Sequence, residues 1–215
     1  ILLFFQRFFR GVAIASAVAV LVCTPASCMI PQTVDPIRES PHPPPHFVVE
    51  TIPSYLLTPV LTLTRQGSAD AAVSPPCHCQ LVFDGLSVQE EDSTVTLEAR
   101  WFIDYDVAVP SSTRTWFVET LEPNFDDVTD TTRPLDTFIF DADAVGIVTS
   151  GVHIVEVVVG ETAGFDRSPT ALQPNRSMKI AEGYSSAVYR FAVDVRMEQV
   201  PGQCPSTPPS RRVCP

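Results

Sequence analysis

In the body of the chain apolar and polar side chains frequently alternate with a period of two, while helical spacing is nearly absent. In residues 94 to 106, TVTLEARWFIDYD, one face collects Val95, Leu97, Ala99, Trp101, Ile103 and Tyr105. The other face carries Thr94, Thr96, Glu98, Arg100, Asp104 and Asp106, with Phe102 the exception. That pattern predicts a long strand with one face buried. Residues 187 to 198 repeat it, with Tyr189, Phe191, Val193, Val195 and Met197 set against Arg190, Asp194, Arg196 and Glu198. Residues 151 to 160, GVHIVEVVVG, put Val155, Val157 and Val159 on one side. Their valine content predicts a central strand covered on both faces apart from Glu156. Further strands are expected at residues 47 to 51, 58 to 65, 80 to 88, 114 to 121 and 135 to 141, separated by turn signals such as Asp84-Gly85, Glu122-Pro123-Asn124 and Ser150-Gly151.

Seven or eight strands with a tryptophan in a middle one predict an all-β chain, an immunoglobulin-like β-sandwich over residues 47–200. A closed barrel is the alternative. Trp101, Ile103, Val155, Val157, Phe191 and Val193 form the expected core. The pattern ARWFIDYD, followed by GVHIVEVVV and a final alternating strand, resembles uncharacterised exported lipoproteins of the myxobacterial type over roughly residues 77 to 200. The motifs shared are structural, so the resemblance implies the fold and export and carries no activity across.

Outside the sandwich the chain reads differently. Residues 1–28 have the order of a signal peptide: Arg7 and Arg10 as the only early charges, the small and apolar run GVAIASAVAVLVC over 11 to 23, then TPASC. As a helix that run covers roughly 20 Å, against the ~30 Å core of a bilayer, although Ile1 to Phe5 would lengthen it. Pro25-Ala26-Ser27-Cys28 resembles a lipobox, in which the cysteine is acylated; Pro25 stands where leucine is usual. Cleavage after Ala26 by an ordinary signal peptidase competes with it. Acylation of Cys28 and loss of Cys23 leave an even set, Cys77, Cys79, Cys204 and Cys214, which suits disulfides in an oxidising compartment.

Residues 29–46 are studded with proline and predict an extended tether of roughly 55 Å. Residues 201–215 are a second Pro-rich segment that its two cysteines can pin. With strand B at 80 to 88, C at 94 to 106, F at 151 to 160 and G at 187 to 198, the start of B and the end of G meet at one pole. The tail is therefore expected to be stapled back to Cys77 and Cys79 by disulfides, closing loops for which chain entropy gives roughly 4 to 5 kcal/mol at the upper end.

The net charge of -11 disfavours nucleic acid as a partner. Cys77-His78-Cys79 with Cys204 and Cys214 has the donor atoms of a zinc site, but disulfides fit an exported chain better. The acids Glu90-Glu91-Asp92, Asp104, Asp106, Asp126-Asp127, Asp130, Asp141 and Asp143 read as a solvated surface, with a calcium site as the alternative. Asp104 and Asp106 are expected on one strand face. His153 reads as a packed or hydrogen-bonded strand histidine, and no G-x-S-x-G elbow or phosphate-cradling loop accompanies it. No catalytic residue, metal or cofactor is assigned. The expectation is a non-catalytic, lipid-anchored module of the outer membrane or cell envelope with an envelope protein or glycan partner; the alternative is a secreted calcium-dependent carbohydrate-binding or hydrolase accessory. Replacing Cys28→Ser is expected to abolish acylation and move the protein from the membrane to the soluble fraction on ultracentrifugation; retention in the membrane would make the apolar run the anchor.

Overall fold

The alternating segments do become strands, and their register decides which faces meet. The computed structural model describes residues 42–65, 78–125, 129–197 and 209–213. These belong to a compact unit spanning Ser40–Pro215. The chain is all-β, with short 3₁₀ turns and no α-helix among the described residues. In chain order the strands are β1 (His46–Phe47), β2 (Leu61–Arg65), β3 (His78–Phe83), β4 (Ser87–Gln89), β5 (Leu97–Ile103) and β6 (Phe117–Leu121). They continue with β7 (Thr132–Pro134), β8 (Phe138–Asp141), β9 (Gly151–Glu161), β10 (Ser186–Met197) and β11 (Ser210–Val213).

One sheet has the order β2-β10-β9-β5-β6, antiparallel throughout except for the parallel pair of β2 and β10. Two three-stranded sheets, β11-β3-β8 and β1-β4-β7, complete the described residues. Register puts Trp101 of β5 between Val157 of β9 and Phe117 of β6. From there the indole crosses to the facing sheet, stacking on Phe138 of β8 at 4.4 Å between ring centroids. Phe83 of β3 touches both Trp101 and Phe191 of β10, at 5.7 and 4.7 Å. These rings, with Ile103, Val155, Val157 and Val193, lie in one buried cluster fed by the inward faces of both sets of strands. Each such ring removes a large apolar area from water and packs tilted or offset rather than face to face.

The expected strand over residues 80 to 88 is broken into β3 and β4. Gly85 turns the chain there at φ +68°, and a Cβ on it would come within 3.0 Å of Pro53 Cγ. The Tyr55 hydroxyl donates to Asp84 Oδ1 on the same corner. The expected strand at 47 to 51 shrinks to His46–Phe47, because Val49–Thr51 closes a 3₁₀ turn in which Ile52 N donates to Val49 O. Residues 42 to 46, expected in the solvated tether, pack on the domain. His42 Nδ1 lies 2.8 Å from Glu161 Oε1, its ring stacks on Tyr184 at 4.0 Å, and His46 pairs with Gln89.

The largest correction concerns β5. Its outward residues Glu98 and Arg100, expected in solvent, are each 5% exposed, and Phe102 is fully buried. Both faces are covered because residues 162–185, between β9 and β10, fold back over the outer face of the sheet. Phe102, Val158, Phe165 and Met178 form a second apolar cluster there, flanked by Tyr105 and Tyr184. Glu156 is likewise buried, while Val152 and Ile154 at the start of β9 are exposed. The strand ends at Ile103, and Asp104 turns out of it at φ +49°, so Asp104 and Asp106 do not share a strand face.

The C-terminal segment returns to the domain by main-chain pairing, with Arg212 opposite Cys79 in β3. Cys79 is buried and disulfide-bonded. No bridge lies wholly within the described residues; Cys77, Cys204 and Cys214 fall outside them, as do Cys23 and Cys28. Trp101→Ala is expected to cost about 3 to 5 kcal/mol by leaving a cavity among Phe83, Phe138 and Phe191. Chemical denaturation of the variant against the parent measures it, and an unchanged midpoint would remove Trp101 from the core.

Candidate functional site

The outer face of β5 and β9 carries two buried carboxylates, and each is met by two guanidinium groups. Arg100 Nε donates to Glu98 Oε1 at 2.5 Å, and Arg167 Nη2 donates to Glu98 Oε2 at 2.7 Å. Arg190 Nε donates to Glu156 Oε2 at 2.9 Å, while Arg176 Nη1 sits 3.0 Å from Glu156 Oε1 without hydrogen-bonding geometry. Charges removed from water at this depth are tolerated only when paired. Arg100 and Glu98 come from β5, Glu156 from β9 and Arg190 from β10, whereas Arg167 and Arg176 are supplied by the covering segment. The charges therefore tie that segment to the sheet beside the apolar contact of Phe165.

Arg100 is the hub. Its guanidinium lies over the Phe165 ring at 3.9 Å and donates from Nη1 to the Asn175 carbonyl at 2.6 Å. Asn175 adopts φ +62°, and its amide donates to Thr113 O at 3.0 Å, tying the covering segment to the β5–β6 connection. Between these pins opens a cleft of about 490 Å³, within the usual range for small-ligand sites. Glu98, Arg100, Asp166 and Arg167 border it with Ser168 and Asn175; Thr115 and Val118 close the side of edge strand β6. Asp166 Oδ1 accepts the Ser168 N–H at 2.9 Å, which shapes the rim.

A second cleft, of about 470 Å³, lies where β4 and β9 end, with Glu90, Glu91, Asp92 and Glu161 on its walls beside His42. Glu90 is 2% exposed; one oxygen accepts the Asp92 N–H at 3.3 Å and the other is buried without a partner. Burial pushes its carboxyl up, and the Glu161 charge adds to the rise against two backbone hydrogen bonds. Asp92 is held low by the hydroxyl and N–H of Thr94.

Of the remaining acids singled out in the sequence, Asp106, Asp130 and Asp141 cap turns. Asp106 accepts from Ala108 N, Asp130 from Thr132 N, and Asp141 from Asp143 N and Gln80 Nε2. Asp126 and Asp127 lie outside the described residues. Asp104 accepts from Ile154 N, and its other oxygen lies 2.6 Å from His153 Nδ1. Among the described residues no group of three or more His, Cys, Asp or Glu is arranged to hold a metal ion. No protein-family model and no curated protein matches the chain.

Sequence reasoning did not find the Arg100 cleft, because it read Glu98 and Arg100 as a solvated face. The one available signal was Phe102, an aromatic side chain on the polar side of the strand.

Glu119 on β6 is a further buried acid. It accepts the Asp136 N–H at 2.6 Å, and its other oxygen faces Trp101 Nε1 without closing a hydrogen bond. Burial pushes its carboxyl up to about 7 from 4.5, with the Asp136 charge adding to the rise and the Asp136 N–H opposing it. A folded-state value above the unfolded one means that folding favours the protonated acid. Its stabilising contribution is complete below 4.5 and is lost as pH rises through about 7; Glu90 acts in the same direction. Glu119→Gln is expected to flatten the fall in melting temperature between about pH 5 and about pH 8, and to raise stability at the upper end by on the order of 1 to 3 kcal/mol. Parallel pH profiles would refute it.

Proposed function

We propose that the chain is an exported, lipid-anchored binding module on an immunoglobulin-like β-sandwich, non-catalytic, with its binding site in the Arg100 cleft. The observation that carries this reading is the way the cleft is built. Rigid strands supply one wall, and a segment fixed by Arg100, Asn175 and the Glu98 ion pairs supplies the other. A site organised in advance loses little conformational entropy when it is filled.

The fold assignment is supported by strand neighbours. In an immunoglobulin-like sandwich G, F and C adjoin in one sheet while B and E adjoin in the other. Here β10, β9 and β5 adjoin, as do β3 and β8, with β11 beside β3 where a first strand would run. Export is supported by the basic, apolar and small-residue order of residues 1–28 and by the disulfide-bonded state of Cys79. In this reading acylated Cys28 holds the chain to the cell envelope, and the stretch from residue 29 spaces the domain away from the membrane.

The test is site-specific photocrosslinking in intact cells. A photoreactive side chain at Val118, on the cleft rim, is expected to trap a discrete envelope partner. The same group at Val49, 53% exposed and away from the cleft, is expected to trap none. Equal adducts at both positions, or none at Val118, would overturn the assignment of the cleft.

A further inference from the structure

We infer that the Arg100 cleft receives a carboxylate, and that its source is an acidic side chain of an extended peptide laid beside β6. The inference rests on the cleft being the binding site and adds the chemistry of what fills it. A guanidinium group has five N–H donors and no acceptor. Among the described residues, Arg100 uses one on Glu98 and one on the Asn175 carbonyl. The residue is 5% exposed, yet it borders the cleft, and none of its nitrogens is among the sealed, unpartnered atoms of the protein. Nη2, which has no partner among the described residues, is therefore the nitrogen left for the cleft, on a group whose plane is already fixed by Phe165 on its face and Glu98 on its edge.

A guanidinium fixed in this plane matches a charged, acceptor-only group, and a carboxylate can take up the Nη2 donors left beside the two already in use. The charges around the cleft argue for a single negative charge over a double one. Glu98 and Asp166 balance Arg100 and Arg167, so a phosphate dianion would meet two carboxylates, whereas a monoanion adds one charge to a neutral rim. The overall charge of -11 acts mainly over distances that physiological salt screens, beyond about 8 Å. It slows the approach of an acidic partner more than it weakens the contact.

The peptide origin follows from β6. That strand is the edge of its five-stranded sheet, pairing with β5 on one side and, among the described residues, with no strand on the other. Thr115 and Val118 place this edge on the cleft wall. Extended chain added to such an edge gains main-chain hydrogen bonds and sends alternate side chains to one face, which is how a single acidic residue reaches Arg100.

Titration of the full chain in detergent, followed through the Arg100 Nε–H resonance, tests this with blocked tripeptides. The acetyl-Ala-Glu-Ala amide is expected to shift that resonance saturably, with affinity at least about tenfold above the Gln counterpart. Arg100→Lys, which keeps the charge and loses the planar edge, is expected to weaken binding about tenfold when followed by calorimetry. Val118 is 48% exposed, so Val118→Glu leaves the packing in place and sets a negative charge on the rim. It is expected to weaken the Glu peptide at least about tenfold more than the Gln peptide, which carries no charge to repel, and this keeps the test decisive should Arg100→Lys not fold. Equal affinities for the two peptides, or indifference to Val118→Glu, overturn the inference; so does preferential binding of glucuronate or inorganic phosphate. A Val118 photoadduct that forms with the partner, and whose formation the Glu peptide added before irradiation does not suppress, leaves the cleft as the binding site and removes only the carboxylate.

Discussion

Burial of β5 on both faces is the constraint on which the rest depends. Its inward side chains Leu97, Ala99, Trp101 and Ile103 need the facing sheet, while its outward side chains Glu98, Arg100 and Phe102 need a second cover. A strand of this kind cannot leave its outer face to solvent. The segment 162–185 exists structurally to meet that need, and it does so with Phe165 and Met178 for the ring of Phe102 and with Arg167 and Arg176 for the acids.

Charge as well as apolar surface sits under this cover, which makes its contacts to the sheet directional. An apolar lid tolerates sliding, since dispersion is insensitive to direction. The ion pairs of Glu98 and Glu156 are directional, and sliding would withdraw Arg167 and Arg176 and leave each acid with a single strand-borne arginine, Arg100 or Arg190. That directional demand turns an ordinary strand connection into a wall with fixed donors. The same physics gives the opposite result at Glu119 and Glu90. There a carboxylate is buried against hydrogen-bond donors without a counter-charge, and its proton affinity rises instead.

Strand pairing does the same for the ends of the described chain. His46–Phe47 pairs with β4 and Ser210–Val213 with β3, so both Pro-rich flanks meet the domain through main-chain hydrogen bonds. His42 adds a 2.8 Å polar contact to Glu161 and a stack on Tyr184 at the end where β9 finishes. The folded unit therefore begins earlier than its proline content suggests, because proline bars a helix and an inner strand but not an edge contact.

The sequence by itself determined the all-β class, the position of β5, β9 and β10, and the inward set around Trp101, because a period of two is local and the core face repeats it without interruption. It also carried the kink at Gly85, though alternation ran through that residue and hid it. Tertiary structure alone decided that the polar face of β5 is buried. Glu98 and Arg100 look the same in sequence whether water or a distant loop neutralises them, and the arginines and aromatic rings that settle the matter lie some 70 residues away. The Arg100 cleft could be recognised only once those partners were brought together, because burial of a charge is set by neighbours in space and not by neighbours along the chain.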